Sequence, residues 1–109
     1  MVQPEIMAKL VVKTELKRLL GVTYQDVDVA LCTIAPMYKH NTYFYDRCRA
    51  IVAMRKYYLT QIAYFQRLKE ASNGSKYYSK RIETYTKRLD SVERLMCEWG
   101  IGNGSPNDH

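Results

Sequence analysis

No apolar run in the 109-residue chain approaches the ~18–20 residues that span a bilayer. The longest near the start, Leu10-Val11-Val12, is too short for a signal-peptide core. The expectation is a soluble, cytoplasmic chain with no membrane partner. Histidine is scarce, with only His40 and His109. No Ser–His–Asp, paired-carboxylate or metal arrangement is suggested, so the chain reads as a non-enzyme that needs no cofactor. The three cysteines, Cys32, Cys48 and Cys97, are odd in number and irregular in spacing, which argues against a disulfide framework. They read as reduced, mostly buried thiols. Zinc held by Cys32, His40 and Cys48 is the sharper alternative. The seven-residue gaps on either side of His40 match no common finger or knuckle, and no metal is expected.

What is present is ordinary globular usage: 47% hydrophobic and 26% charged residues, in a length that suits one core. The net charge is +6, and it is uneven. Residues 1–45 carry five bases and four acids, whereas residues 46–99 carry twelve bases and six acids. A basic small protein suits a polyanionic partner, although a solvated surface accounts for the same charge. Ten tyrosines are many for this length. Pairs such as Tyr57-Tyr58 and Tyr77-Tyr78 can pack one ring inward, or interleave with arginine to stack bases.

Along the chain, 8–13 suits a short strand. Thr14 is placed to cap a helix with Leu16, Leu19 and Leu20 on one face, and Gly21 stops it. Thr23 can cap the next helix with Asp26 in an approximate capping box. Val27, Ala30, Leu31 and Ile34 form its buried face, and Pro36 ends it. Lys39-His40-Asn41 looks like a hairpin tip before Tyr43-Phe44-Tyr45, which has strand propensity. Asp46 then caps a long helix reaching about Ala71, with an inward stripe of Ile51, Met54, Tyr58, Ile62, Phe65 and Leu68. Ser72-Asn73-Gly74-Ser75 breaks the chain. A second long helix runs from about Lys76 to Glu98. Its apolar positions Tyr78, Ile82, Tyr85, Leu89, Val92, Met96 and Trp99 alternate steps of four and three, a coiled-coil heptad seam. The last ten residues read as a flexible tail; their glycines have neither the preceding strand nor the following helix of a phosphate loop.

The stretch from Leu10 to Thr23, with its Leu20-Gly21-Val22-Thr23 turn, resembles the start of excisionase-like and MerR-like winged helix-turn-helix domains. In those a short strand, a helix, a tight turn and a recognition helix precede a wing hairpin. Tyr43-Phe44-Tyr45-Asp46 is similar to the end of such a wing. The resemblance covers about residues 8–60. It implies a mainly α fold: a winged helix-turn-helix head over 1–46, an antiparallel helical hairpin over 47–99 and a tail over 100–109. It implies a recognition helix over about Tyr24 to Ile34. Thr23, Tyr24, Gln25 and Asp28 would lie on its exposed face, Lys39, His40 and Asn41 in the wing, and Lys13, Lys17 and Arg18 beside the duplex. Gln25 would pair with adenine and Thr23 with a phosphate. The recognition helix departs from the pattern in carrying Asp26 and Asp28 and no Lys or Arg, and carboxylates facing phosphates repel.

The hairpin is similar in outline to that of phage small terminase subunits, which follow a DNA-binding head with a helical oligomerisation unit. On that analogy Tyr78, Ile82, Tyr85, Leu89, Val92 and Met96 would join copies of the chain, although the same seam can pack in cis against the first long helix. The basic residues of both long helices fall on several faces. Glu83–Lys87 and Asp90–Arg94 are at helix-pair spacing, worth only about 0.3–0.5 kcal/mol each. Two functions remain open. One is a homo-oligomeric protein of a phage or mobile element, a regulator or packaging factor, that binds double-stranded DNA. The other is a non-catalytic adaptor that binds a protein partner through the hairpin.

Overall fold

A computed structural model describes residues 9–101. The loose start and most of the tail expected from the sequence lie outside the described residues. The chain is mainly helical, with β1 (Leu10–Val11), α1 (Lys13–Leu20), α2 (Tyr24–Ala30), β2 (Met37–Lys39), β3 (Thr42–Asp46), α3 (Arg47–Ala71) and α4 (Lys76–Glu98). The three strands form an antiparallel sheet in the order β1-β3-β2. The helix pair α1–α2 is thus inserted between an outer strand and a β-hairpin, the order of elements expected from the sequence. The molecule is elongated, 58 × 34 × 21 Å, because α3 and α4 run on as a hairpin.

Local chemistry sets most boundaries. Gly21 stands in the left-handed region at φ 67° and donates its N–H to the Lys17 carbonyl at 2.9 Å, closing α1. Thr23 is the N-cap of α2 and accepts the Asp26 N–H at 3.2 Å. Asp46 caps α3 by accepting the Arg49 N–H at 2.9 Å. His40 and Asn41 both adopt positive φ, 51° and 60°, in a two-residue link between β2 and β3, the geometry of a type I′ hairpin. That link fixes the register, with Lys39 opposite Thr42 and Tyr38 opposite Tyr43.

Some expectations are corrected. The N-cap of α1 is Val12, not Thr14: β1 holds only two residues, and Val12 is still extended when the helix begins. The α2 helix ends at Ala30, not Ile34, because the chain tightens into three-residue turns, Cys32 N–H to Val29 and Ile34 N–H to Leu31, ahead of Pro36. Cys32, Cys48 and Cys97 are free and exposed rather than buried. Each falls beside the apolar stripe of its segment, one position or more off the inward direction. Neither Glu83–Lys87 nor Asp90–Arg94 forms an ion pair among the described residues; Arg94 donates to Ser91 instead.

One core unites head and hairpin. Val11, Leu16, Leu20, Val22, Val27, Leu31 and Tyr45 of the head pack in the same cluster as Ile51, Met54 and Tyr58 of α3 and Tyr85, Val92 and Met96 of α4. The heptad seam is therefore used in cis. Tyr85, Val92 and Met96 are buried in the cluster, Leu89 packs against it, and Tyr78 meets the Phe65 ring at 6.0 Å between centroids. Ile82 is half-buried. At about 25 cal/mol per Å² of apolar surface, large side chains such as these are worth about 1.5–3 kcal/mol each when fully buried.

Candidate nucleic-acid interface

Three segments meet at the free side of the head: the N-terminal turn of α1, the start of α2, and the wing formed by β2 and β3. Between them lies a cleft of about 270 Å³ lined by Lys13, Tyr24, Asn41, Tyr43 and Tyr45, among others. The alternation of β3 and the two-residue turn place Tyr38, Tyr43, Tyr45 and Val11 on one face of the sheet. Its inner end, Val11 and Tyr45, is buried in the core. Its outer end, Tyr38 and Tyr43, is exposed, with ring centroids 4.8 Å apart. Tyr38 also donates its hydroxyl to the Asn41 side-chain oxygen at 3.0 Å, which holds the wing tip.

The two acids of α2 have different fates. Asp26 is buried, at 6% exposure, and points away from the cleft into the hairpin. Its carboxylate accepts from the Arg88 guanidinium at 2.7 Å, the Tyr58 hydroxyl at 2.9 Å and the Tyr57 hydroxyl at 3.3 Å. Asp28 is exposed and pairs with the Lys13 ammonium at 2.6 Å. That hydrogen bond raises the Lys13 pKa, against a smaller lowering by burial; the same ammonium lies 5.5 Å from the centre of the Tyr45 ring. The two tyrosines beside Asp26 are held protonated. Burial first, and then the Asp26 charge, push Tyr57 up to about 12 and move Tyr58 in the same direction.

The residues singled out from the sequence divide accordingly. Lys13 and Asp28 neutralise one another. Thr23 spends its hydroxyl as a cap. Tyr24 and Gln25 are exposed at the first turn of α2. Lys17 is exposed and Lys39 half-buried, and neither has an ion-pair partner among the described residues. Arg18 makes an exposed 3.4 Å contact with Glu15, of little strength. His40 and Asn41 form the exposed wing tip. Sequence reasoning missed the wing tyrosines Tyr38 and Tyr43 and the inward turn of Asp26. The signal for Asp26 was present: it precedes Ala30 by one helical turn, so the buried stripe of α2, extended backwards, passes through it.

Among the described residues no group of His, Cys, Asp and Glu could hold a metal ion. No described helix is long and apolar enough to cross a membrane. No protein-family profile, characterised protein or solved structure matches the chain.

Proposed function

We propose that the chain binds double-stranded DNA through its head, with the start of α2 directed at base edges and the wing at the backbone. The observation that carries this reading is the disposal of the acids of α2. Asp26 is withdrawn into the hairpin and paired with Arg88, and Asp28 is paired with Lys13. The repulsion that two carboxylates would exert on phosphates is thereby largely cancelled. Tyr24 and Gln25 remain on the exposed face of α2, with the cations Lys17, Arg18 and Lys39 on neighbouring elements. Gln25 suits the paired donor and acceptor of adenine in the major groove.

The test is fluorescence anisotropy with a mixed-sequence duplex at two salt concentrations. Binding that falls steeply with salt, and falls further in a Lys17→Ala/Lys39→Ala double variant, supports the proposal, because each lost phosphate contact lowers the salt slope by about one. No binding at low salt overturns it. A second reading, a helical adaptor or self-associating chain, is favoured by Val52 and Leu59. They lie a heptad apart on α3 and remain 49% and 40% exposed. With the α4 seam used in cis, this stripe is where a second protein would pack, and sedimentation of the chain alone distinguishes a monomer from an oligomer.

A further inference from the structure

The two long helices keep Glu70, Asp90 and Glu93 off one flank of the hairpin. Tyr57 on α3 and Arg88 on α4 both reach Asp26, so both mark the flank on which the head sits. Arg55 and Glu93 pair at 3.2 Å and mark the opposite flank. Tyr64 follows Tyr57 by seven residues and Tyr77 precedes Arg88 by eleven, close to whole numbers of turns. Both therefore lie on the head-side flank, about 10 and 16 Å farther toward the hairpin tip. They are 47% and 63% exposed.

These rings are held, not loose. Tyr64 makes a T-shaped contact with Phe65 at 5.2 Å and Tyr77 one with Tyr78 at 5.3 Å. Between the helices, the Arg81 guanidinium lies 5.4 Å from the Phe65 ring centre and 5.0 Å from that of Tyr85, and donates to the Tyr85 hydroxyl at 2.6 Å. Each exposed ring has a cation three residues on, Arg67 after Tyr64 and Lys80 after Tyr77. Both cations are exposed and make no ion pair among the described residues. The acids lie elsewhere. Glu70 lines the other flank with Gln66, Lys69 and Ile82, and Glu83 lies a heptad before Asp90, which shares a surface with Glu93 and Arg94.

We infer that this flank is a second nucleic-acid surface, separate from the head, and that it takes unpaired nucleotides. Bases stack on Tyr64 and Tyr77, and phosphates pair with Arg67 and Lys80. Pre-fixed rings lose little freedom when a base stacks on them, and a ring with a cation one turn away matches the alternation of base and phosphate along a strand. Cations on a flank from which these acids are absent suit a polyanion better than a neutral or basic protein surface.

The experiment uses the full chain and a labelled oligothymidylate of about 15 nucleotides, which forms no duplex, alongside the mixed-sequence duplex. Tyr64→Ala and Tyr77→Ala are each expected to weaken oligothymidylate binding about tenfold while leaving duplex binding by the head unchanged. Tyr64→Phe and Tyr77→Phe are expected to retain it, since the stacking face is kept. Both positions are half exposed, and thermal melts confirm that the variants fold. Oligothymidylate that fails to bind at low salt overturns the inference. So does binding that the alanine changes leave intact. The Lys17→Ala/Lys39→Ala variant separates the two surfaces: its loss of duplex binding alone concerns the head, whereas equal loss of both probes would place the single strand on the head and overturn the inference.

Discussion

Replacing Arg88 by Ala would test how α2 is fixed to the hairpin. Arg88 holds the Asp26 carboxylate at 2.7 Å, and the two side chains are 25% and 8% exposed. Removing one partner of a buried pair costs about 3–5 kcal/mol, because the other charge is left in a poor solvent. Two features reduce the cost here. Arg88 is itself partly in water, and Tyr58 and Tyr57 continue to donate to Asp26. The expected loss is about 2–3 kcal/mol by urea unfolding, or a melting temperature lower by about 10–20 °C for a domain of this size. The decisive feature is coupling. Asp26→Asn keeps the shape and removes the charge, so a double variant with Arg88→Ala should be more stable than Arg88→Ala alone, by about 1 kcal/mol. If Arg88→Ala lies within about 0.5 kcal/mol of the parent chain, the ion pair does not anchor α2. If the two changes simply add, the charge of Asp26 is not what Arg88 serves.

Three further outcomes are expected. In the wing turn, His40→Asn should stabilise the chain by about 0.5 kcal/mol in urea unfolding, since the position holds a positive φ that Asn adopts at lower cost, and Asn41 is kept because its side chain accepts from Tyr38; a loss would show that the turn is not type I′. Tyr57 keeps its proton to about 12 in the fold against 10.0 in the unfolded chain, so stability should be level below pH 10 and fall between pH 10 and 12 as only the unfolded chain ionises. Tyr57→Phe should lessen that fall without abolishing it, because Tyr58 is shifted in the same direction, and the loss of one late-ionising phenol should show in the difference between the ultraviolet titrations of the two chains. Cys32, Cys48 and Cys97 are all exposed, so a thiol-reactive disulfide should label all three in the folded chain without denaturant; a thiol that labels only after unfolding would be a buried one.

Periodicity made the helices legible. The stripes through Ile51, Met54 and Tyr58, and through Tyr85, Val92 and Met96, are the ones buried, and caps at Thr23 and Asp46 stand where short polar side chains precede apolar runs. Signals that depend on a single residue proved less decisive. Thr14 has the side chain of a cap, but the strand before it is so short that the helix begins before Thr14 is reached. The cysteines resemble core residues in chemistry, yet their position in the turn decides their exposure. What one chain of letters conceals is which of several equivalent partners a side chain meets. Glu83 and Asp90 had ready partners one turn away and did not take them, whereas Asp26 found Arg88 at a separation of 62 residues.

That last contact also reconciles the composition with the proposed function. A recognition helix with two acids and no bases suits DNA poorly if every side chain faces outward. The fold sends one acid inward, where a basic hairpin neutralises it, and pairs the other with the first residue of α1. The excess positive charge of residues 46–99 therefore has two uses. Part of it, through Arg88, cancels charge on α2, and another part, Arg67 and Lys80, stands one turn from the exposed tyrosines Tyr64 and Tyr77. If the head binds duplex and the flank binds an unpaired strand, Tyr64 and Tyr77 lie only about 10 and 16 Å along the helices from the Tyr57 and Arg88 contacts that join the hairpin to α2. A substrate carrying both features, a duplex with a single-stranded extension, should then bind more tightly than either part alone, because the second contact is made at high effective concentration. Equal affinity for the duplex with and without the extension would mean that the two surfaces do not act together.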